Sequence, residues 1–355
     1  MNTFSQGAAM RTLTLCTAGL VLSLTIIGCS RSTRSGDSDP VTSTMARSPE
    51  SGTSSREMRN AAIEMLLAMS THERPEIRAN ALEALRDQDT EIESVVALGL
   101  LDENEGVRSV AAMIVGQEKL RALEPTLRSM ADSQSSYVKL SVLFALHALD
   151  RSTDISPISE ALLSENDVRV SSHAAFVIGE LGNPSAIPML KQASQMRYNR
   201  VTPIERRLFR LQVAEALVKL GDEQGIDAIR AALYPARPEE LEATALAVQI
   251  IGEVGDRASA DQLIYMADEE TGLPMPAEVR LAIAGALAKI GYRSGGFIAD
   301  QYAQNDLDVI RAQSASVYGD TLLGEHLPKL GDLMGDESPI VRVAAAGAVL
   351  KITQR

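Results

Sequence analysis

Four histidines, two cysteines and one local run of arginines are the residues of this chain best able to do chemistry. His72, His147, His173 and His326 lie far apart, and none forms an HExxH or H-x-H pair. A metal site needs three or four ligands brought together by spacing or fold, so the spacing alone predicts no metal. No GxSxG elbow, phosphate-binding P-loop or GxGxxG turn occurs. Those are the arrangements that would place a nucleophile or cradle a phosphate. Carboxylates are plentiful but scattered through turns and faces. The expectation is no catalytic constellation, no cofactor and no enzyme. The arginines form a distinct feature: Arg197, Arg200, Arg206, Arg207 and Arg210, interleaved with Tyr198 and Phe209, in a chain of net charge −13. Such a run can dock an anionic partner or lipid head groups. It can equally pair with acidic residues of its own neighbours. The overall negative charge argues against nucleic acid, which requires a basic face.

Both cysteines, Cys16 and Cys29, fall near the N-terminus, so the body of the chain has no disulfide framework. Arg11 is followed by the apolar run Thr12–Ile27, short for a membrane span and suited to a signal segment. It ends in Leu24-Thr25-Ile26-Ile27-Gly28-Cys29, which resembles a bacterial lipobox. The resemblance implies cleavage after Gly28, diacylglycerol on the Cys29 sulfur, and a mature chain without Cys16. An uncleaved anchor helix, or a secretory signal with an incidental cysteine, are the alternatives. Ser30 stands where a retention signal would have Asp, which implies the outer membrane facing the periplasm rather than the inner membrane. Residues 29–55 are rich in Ser and Thr, show no apolar period, and read as a disordered tether. At about 5–6 Å × √n it would reach roughly 30 Å.

The rest of the chain, 56–355, is dominated by one recurring stretch, best seen as Val107–Gly116. Aligned copies start at Arg78, Arg108, Lys139, Ser171, Arg210, Thr244, Arg280, Arg311 and Arg342. Apolar residues follow at +3, +4, +7 and +10, one side of a 3.6-residue helix. Several copies stop at a glycine able to supply a left-handed cap: Gly182, Gly221, Gly255 and Gly291. A second, outer helix lies between copies, often with Pro at its first turn: Pro125, Pro157, Pro188 and Pro328. The period, the helix pairing and the V-R-x-x-A-A…L-G pattern resemble HEAT repeats, above all the short Ala/Gly-rich type of phycobilisome-lyase-like proteins. That resemblance implies an all-α fold, a right-handed α-solenoid of about nine helix pairs. It leaves function open, because the repeated residues are packing residues. A HEAT-like family of metal-dependent hydroxylases uses several His-Glu pairs, and here only His72-Glu73 has that order.

Places where the copies differ carry the remaining expectations. Ser171 and Thr244 replace the basic residue, so those repeats should lack its ion pairs. Asp102 and Asp336 each precede an aligned Arg and could cap the inner helix or join an Arg–Asp ladder. The outward position +5 is apolar in three successive repeats, Met113, Phe144 and Phe176, which would make a stripe for a partner helix or peptide if exposed. The alternative is that local twist buries these side chains. Two inserts, Gln195–Glu205 and Glu269–Ala277, should project as loops. No polar capping helix follows the last repeat. Solenoid ends normally need one, so a homodimer through this end is one way to cover it. The functional expectation is a membrane-anchored, non-enzymatic scaffold or adaptor for a protein or peptide partner. The alternative is an enzyme-accessory or lyase-type role like that of the phycobilisome-lyase relatives.

Overall fold

A computed structural model describes residues 54–355, apart from 87, 89–91, 165–166, 199–200, 269–274 and 355. The signal segment, Cys29 and the tether lie outside the described residues. Among the described residues the only regular secondary structure is helical. In chain order the helices are α1 (Ser55–Met69), α2 (Pro75–Leu85), α3 (Ile92–Leu100), α4 (Glu105–Glu118), α5 (Glu124–Met130) and α6 (Ser136–Leu149). Next come α7 (Ser156–Leu162), α8 (Val168–Leu181), α9 (Ile187–Ser194), α10 (Pro203–Lys219), α11 (Gln224–Ala231) and α12 (Leu241–Val254). The last are α13 (Ala260–Ala267), α14 (Ala277–Lys289), α15 (Gly296–Tyr302), α16 (Asp308–Thr321), α17 (Leu327–Met334) and α18 (Pro339–Thr353). Odd-numbered helices form an outer layer and even-numbered ones an inner layer, nine pairs among the described residues. Every aligned residue from Arg78 to Arg342 falls on an inner helix, as the period predicts.

Local chemistry explains the element ends. Ser54 and Glu57 form a reciprocal cap that starts α1, with Ser54 N–H donating to Glu57 Oε2 at 2.8 Å. The four predicted prolines sit in the first turns of α5, α7, α9 and α17. The four predicted cap glycines all have positive φ, from +67° to +108°. Small residues set how close inner helices come. A Cβ added at Gly116 of α4 would lie 2.8 Å from the Ala145 Cα of α6, and one at Gly319 of α16 would lie 2.8 Å from the Ala348 Cα of α18.

The two ends of the solenoid meet. α18 packs against α16 on one side and against α1 and α2 on the other. One continuous apolar core runs through this closure, from Leu66 and Leu82 to Val349 and Ile352. A Cβ at Gly331 of α17 would touch Met58 of α1 at 3.4 Å, and one at Gly347 of α18 would touch Ala84 of α2 at 3.2 Å. The bare C-terminal face inferred from the sequence is therefore covered by the chain's own first repeat. A homodimer through that face has no free surface to use. Apolar area needs cover, and the ring supplies it within the chain.

Closure has a measurable consequence. Leu66 of α1 and Leu127 of α5 are both fully buried. In an open array a terminal helix frays, and truncating it leaves the main transition little changed. In the ring, Leu66→Ala should cost as much as Leu127→Ala, about 2–5 kcal/mol each. Urea unfolding of the two variants checks this; a silent Leu66→Ala would contradict the closure.

Candidate functional site

The proposed apolar stripe is built, but it is not a surface. Met113, Phe144 and Phe176 are only 2%, 5% and 4% exposed. Curvature is the cause. Gln117 of α4 donates to Glu180 of α8 at 3.4 Å, reaching past the intervening α6. Helices two repeats apart thus close over the +5 side chains between them. The Phe144 ring fills the space left by the missing side chain of Gly116, where a Cβ would meet it at 2.6 Å. Phe176 is covered by the Lys219 ammonium, 5.4 Å above its ring. These three residues are core, and a partner helix cannot reach them.

Instead, the inner helices carry charges one turn further on, at +9. Six successive copies read Glu180, Lys219, Glu253, Lys289, Asp320 and Lys351, alternating in sign. Adjacent repeats pair through them: Lys219 with Glu180 at 2.8 Å, Lys289 with Glu253, and Lys351 with Asp320 at 3.0 Å. Lys219 also meets Glu215 at 2.8 Å, a carboxylate that is itself buried and accepts from Gln212 at 2.6 Å. Burial alone would lower the Lys219 pKa, but the two carboxylates outweigh it and hold the ammonium above its ordinary value. The alternation was legible in the sequence, since it follows the repeat register, but it lies outside the positions that define the repeat.

A second ladder ties the turns together. Arg78 makes a two-pronged pair with Asp102 of the next repeat, both bonds at 2.6 Å, and donates to the His72 and Glu73 carbonyls. Arg108 donates to the Asp102 and Glu103 carbonyls, so Asp102 links two successive arginines. Arg311, Asp336 and Arg342 repeat the arrangement near the other end of the chain. The Arg311 guanidinium and the Ser338 N–H hold the Asp336 carboxyl below its usual range, against a smaller opposing effect of burial. Asp102 caps its turn by accepting from Asn104 N–H, while Asn104 itself caps α4. Where the sequence substitutes Ser171 and Thr244, their hydroxyls take over the carbonyl bonds, to Ala161 at 3.0 Å and to Ala232 at 2.9 Å. His72 belongs to the same turn system, its Nδ1 accepting from Arg74 N–H at 3.1 Å.

One polar chain crosses three inner helices in the interior. Ser109 Oγ lies 2.7 Å from Ser141 Oγ, which lies 2.9 Å from His173 Nε2. The His173 ring packs between Tyr137 and Phe176, with ring centres at 5.5 and 6.1 Å. Serine, serine and histidine suggest a relay, but all three are buried, and among the described residues no carboxylate is hydrogen-bonded to the imidazole. The chain is structural. Burial pushes the His173 pKa down from 6.5 to about 4. Its folded pKa is depressed, so the unfolded chain binds a proton between pH 6.5 and 4 that the native state refuses. This histidine's contribution is fully present above pH 6.5 and is lost as pH falls toward 4, at about 1.4 kcal/mol per unit. Denaturant unfolding across that window should show the loss. His173→Gln should flatten the profile, and an unchanged slope would count against it.

The arginine run divides. Arg197 and Arg210 are exposed, while Arg206 and Arg207 are half-buried on α10. Arg207 pairs with Glu240 of the next repeat at 2.9 Å. Arg200 lies outside the described residues. Tyr198 and Phe209 pack edge to face at 5.2 Å, so part of the first insert folds back onto the core. The large exposed apolar residues are elsewhere: Leu98 and Leu101 near α3, and then Tyr234, Ile264, Tyr265, Tyr292, Phe297 and Leu307. These last six belong to the outer layer and the turns from α11 to α16. Among the described residues, no group of three or more His, Cys, Asp or Glu is placed to hold a metal ion. No described helix is long and apolar enough to cross a membrane.

Residues 209–234 match the family model described as PBS lyase HEAT-like repeat. No curated protein matches the chain. Among solved structures, the CpcE–CpcF complex of phycocyanin lyase from Nostoc sp. PCC7120 is similar at 15% identity, covering 73% of this chain and 95% of that one, with a TM-score of 0.38. Human deoxyhypusine hydroxylase is similar at 16% identity, covering 85% and 98%, with a TM-score of 0.36. Kap121p bound to Nup53p is similar at 11% identity, covering 82% and 41%, with a TM-score of 0.32. The described residues form an all-helical solenoid of nine helix pairs, and the matched stretch is one HEAT-like repeat within it.

Proposed function

We propose that this protein is a non-enzymatic protein-binding scaffold or adaptor at the bacterial cell envelope. A lipid on Cys29 would anchor it to the outer membrane, facing the periplasm, with the Ser/Thr-rich stretch before α1 as tether. The observation that carries the reading is the division of labour in the solenoid. The repeated positions go to packing, while six of the eight large apolar side chains left in solvent among the described residues, all but Leu98 and Leu101, lie on the outer helices and turns between Tyr234 and Leu307. Rigid repeats that present an exposed aromatic face suit protein recognition. The lyase-type alternative has less behind it. Within the matched stretch 209–234, Phe209, Leu217 and Ile229 are core residues, so the match speaks of packing and names no reacting group.

Two experiments test the two halves. Photo-crosslinking residues placed at Tyr265 and Phe297 in the native host should each yield a discrete adduct, and one at Arg197 should not. Absence of adducts at both aromatic positions would remove the proposed face. Metabolic labelling with a fatty-acid analogue should mark the wild-type chain and leave Cys29→Ala unlabelled; label retained in the variant would remove the anchor.

A further inference from the structure

The solvent side of the outer layer mixes rings and carboxylates across three neighbouring repeats. In α13 the exposed side chains are Asp261, Ile264, Tyr265 and, just past its end, Asp268. That i, i+3, i+4, i+7 spacing is a single helix face. The same face of α15 shows Phe297, Asp300 and Gln301, and that of α11 shows Asp227, with Tyr234 beyond its last turn. Tyr234 Oη donates to Gln262 of α13 at 3.0 Å, which ties the first two of these helices side by side. Tyr265 and Phe297 are 50% and 60% exposed. Elsewhere the fold sets cations over its rings: Lys219 over Phe176, Arg280 over Tyr302 and Lys329 over Tyr318. Among the described residues no cation covers the rings of Tyr265 or Phe297 in this way.

The charge of this face is mainly of one sign. α11, α13 and α15 hold three aspartates, Asp227, Asp261 and Asp300, against one basic residue, Arg230. Arg230 is committed to Asp256 at 2.7 Å, and Asp300 is held by Lys329 and Tyr318. Arg237 and Arg257 sit in the turns, off the face. Asp227 and Asp261 form no salt bridge among the described residues, and Asp261 stands one helical turn from Tyr265. Open carboxylates therefore share a surface with open aromatic rings, and both attract cations.

We propose that this face takes a cationic, amphipathic segment of a partner protein, in which arginine or lysine alternates with apolar side chains. The inference rests on the scaffold reading above and adds the chemistry of the partner. The segment's apolar side chains lie on Ile264, Tyr265 and Phe297. Its guanidinium or ammonium groups meet Asp227, Asp261 and the ring faces. Three helices about 8–10 Å apart span roughly 20 Å, which an extended chain of about six or seven residues crosses at about 3.3 Å each. An anionic lipid surface has the wrong sign for these carboxylates.

The probe is a dye-labelled peptide of about ten residues alternating arginine and leucine, a length that covers the span with a margin. Its control has glutamine in place of arginine, and the full chain is the protein. Fluorescence anisotropy should show binding that weakens with added salt, with the glutamine peptide weaker by about tenfold or more. Tyr265→Ala with Phe297→Ala should weaken the arginine peptide by about tenfold, and so should Asp227→Asn with Asp261→Asn. All four side chains are exposed, and unchanged thermal unfolding would verify that each variant folds. Glu103→Gln with Glu337→Gln removes the same charge from side chains 90% and 93% exposed elsewhere and should leave affinity unchanged. The proposal is overturned by no binding up to about 1 mM, by equal affinity for the glutamine peptide, or by full affinity in either face variant. An equal loss in the Glu103 and Glu337 variant overturns it too, since attraction would then be to the whole acidic chain. Phosphatidylglycerol vesicles should not bind; flotation with them that is lost in the Tyr265 and Phe297 variant would overturn it in favour of a membrane. Crosslinked adducts at Tyr265 and Phe297 in the host without peptide binding would sink the cationic partner and leave the docking face standing.

Discussion

Close approach of the inner helices is the constraint on which the rest of this structure depends. Glycine and alanine at the contact positions bring successive even-numbered helices nearly backbone to backbone, as at Gly116 against Ala145 and Gly319 against Ala348. The outer helices turn larger side chains into the core, for example the fully buried Leu127, Leu190 and Leu330. A layer of small contacts inside and large contacts outside must bend, and nine such pairs bend until the ends meet. Packing at interior density leaves little freedom in that angle. The burial of Phe144 and Phe176, the bond from Gln117 to Glu180 and the cover over α18 all follow from this one asymmetry.

The polar groups then act as register marks. The Arg–Asp pairs at the turns and the alternating charges at +9 each join neighbouring repeats, and a slip of one repeat would set like charges side by side. Individually, exposed pairs contribute little. The pairs here are partly buried: the side chains of Arg78 and Asp102 are only 10% and 11% exposed. Removing one partner would strand the other charge, a larger cost than the pair's own contribution. Their role in the fold is to specify which repeat follows which.

Much of this was legible in the amino-acid order. The nine inner helices, the proline starts and the glycine ends follow from spacing, because each is a local rule. The curvature is not local. It is a small angle repeated nine times, and no window of thirty residues contains the information that α18 reaches α1. That is why the sequence left Met113, Phe144 and Phe176 open between an outward stripe and burial by local twist, which the structure decides for burial, and why the last repeat read as bare. The charge alternation from Glu180 to Lys351 was available in the sequence, but it shows only after the repeats are stacked.

A ring of repeats differs from a rod of repeats in what it can tolerate. A rod accepts a duplicated or deleted unit at the expense of length alone, and families of such proteins vary freely in copy number. Here an added pair would push α1 off α18, and a lost pair would leave a gap between them. The copy number is thus a property of the whole molecule, held by geometry. Substitutions on the exposed side of the outer layer, by contrast, leave the circle free to close at the same number.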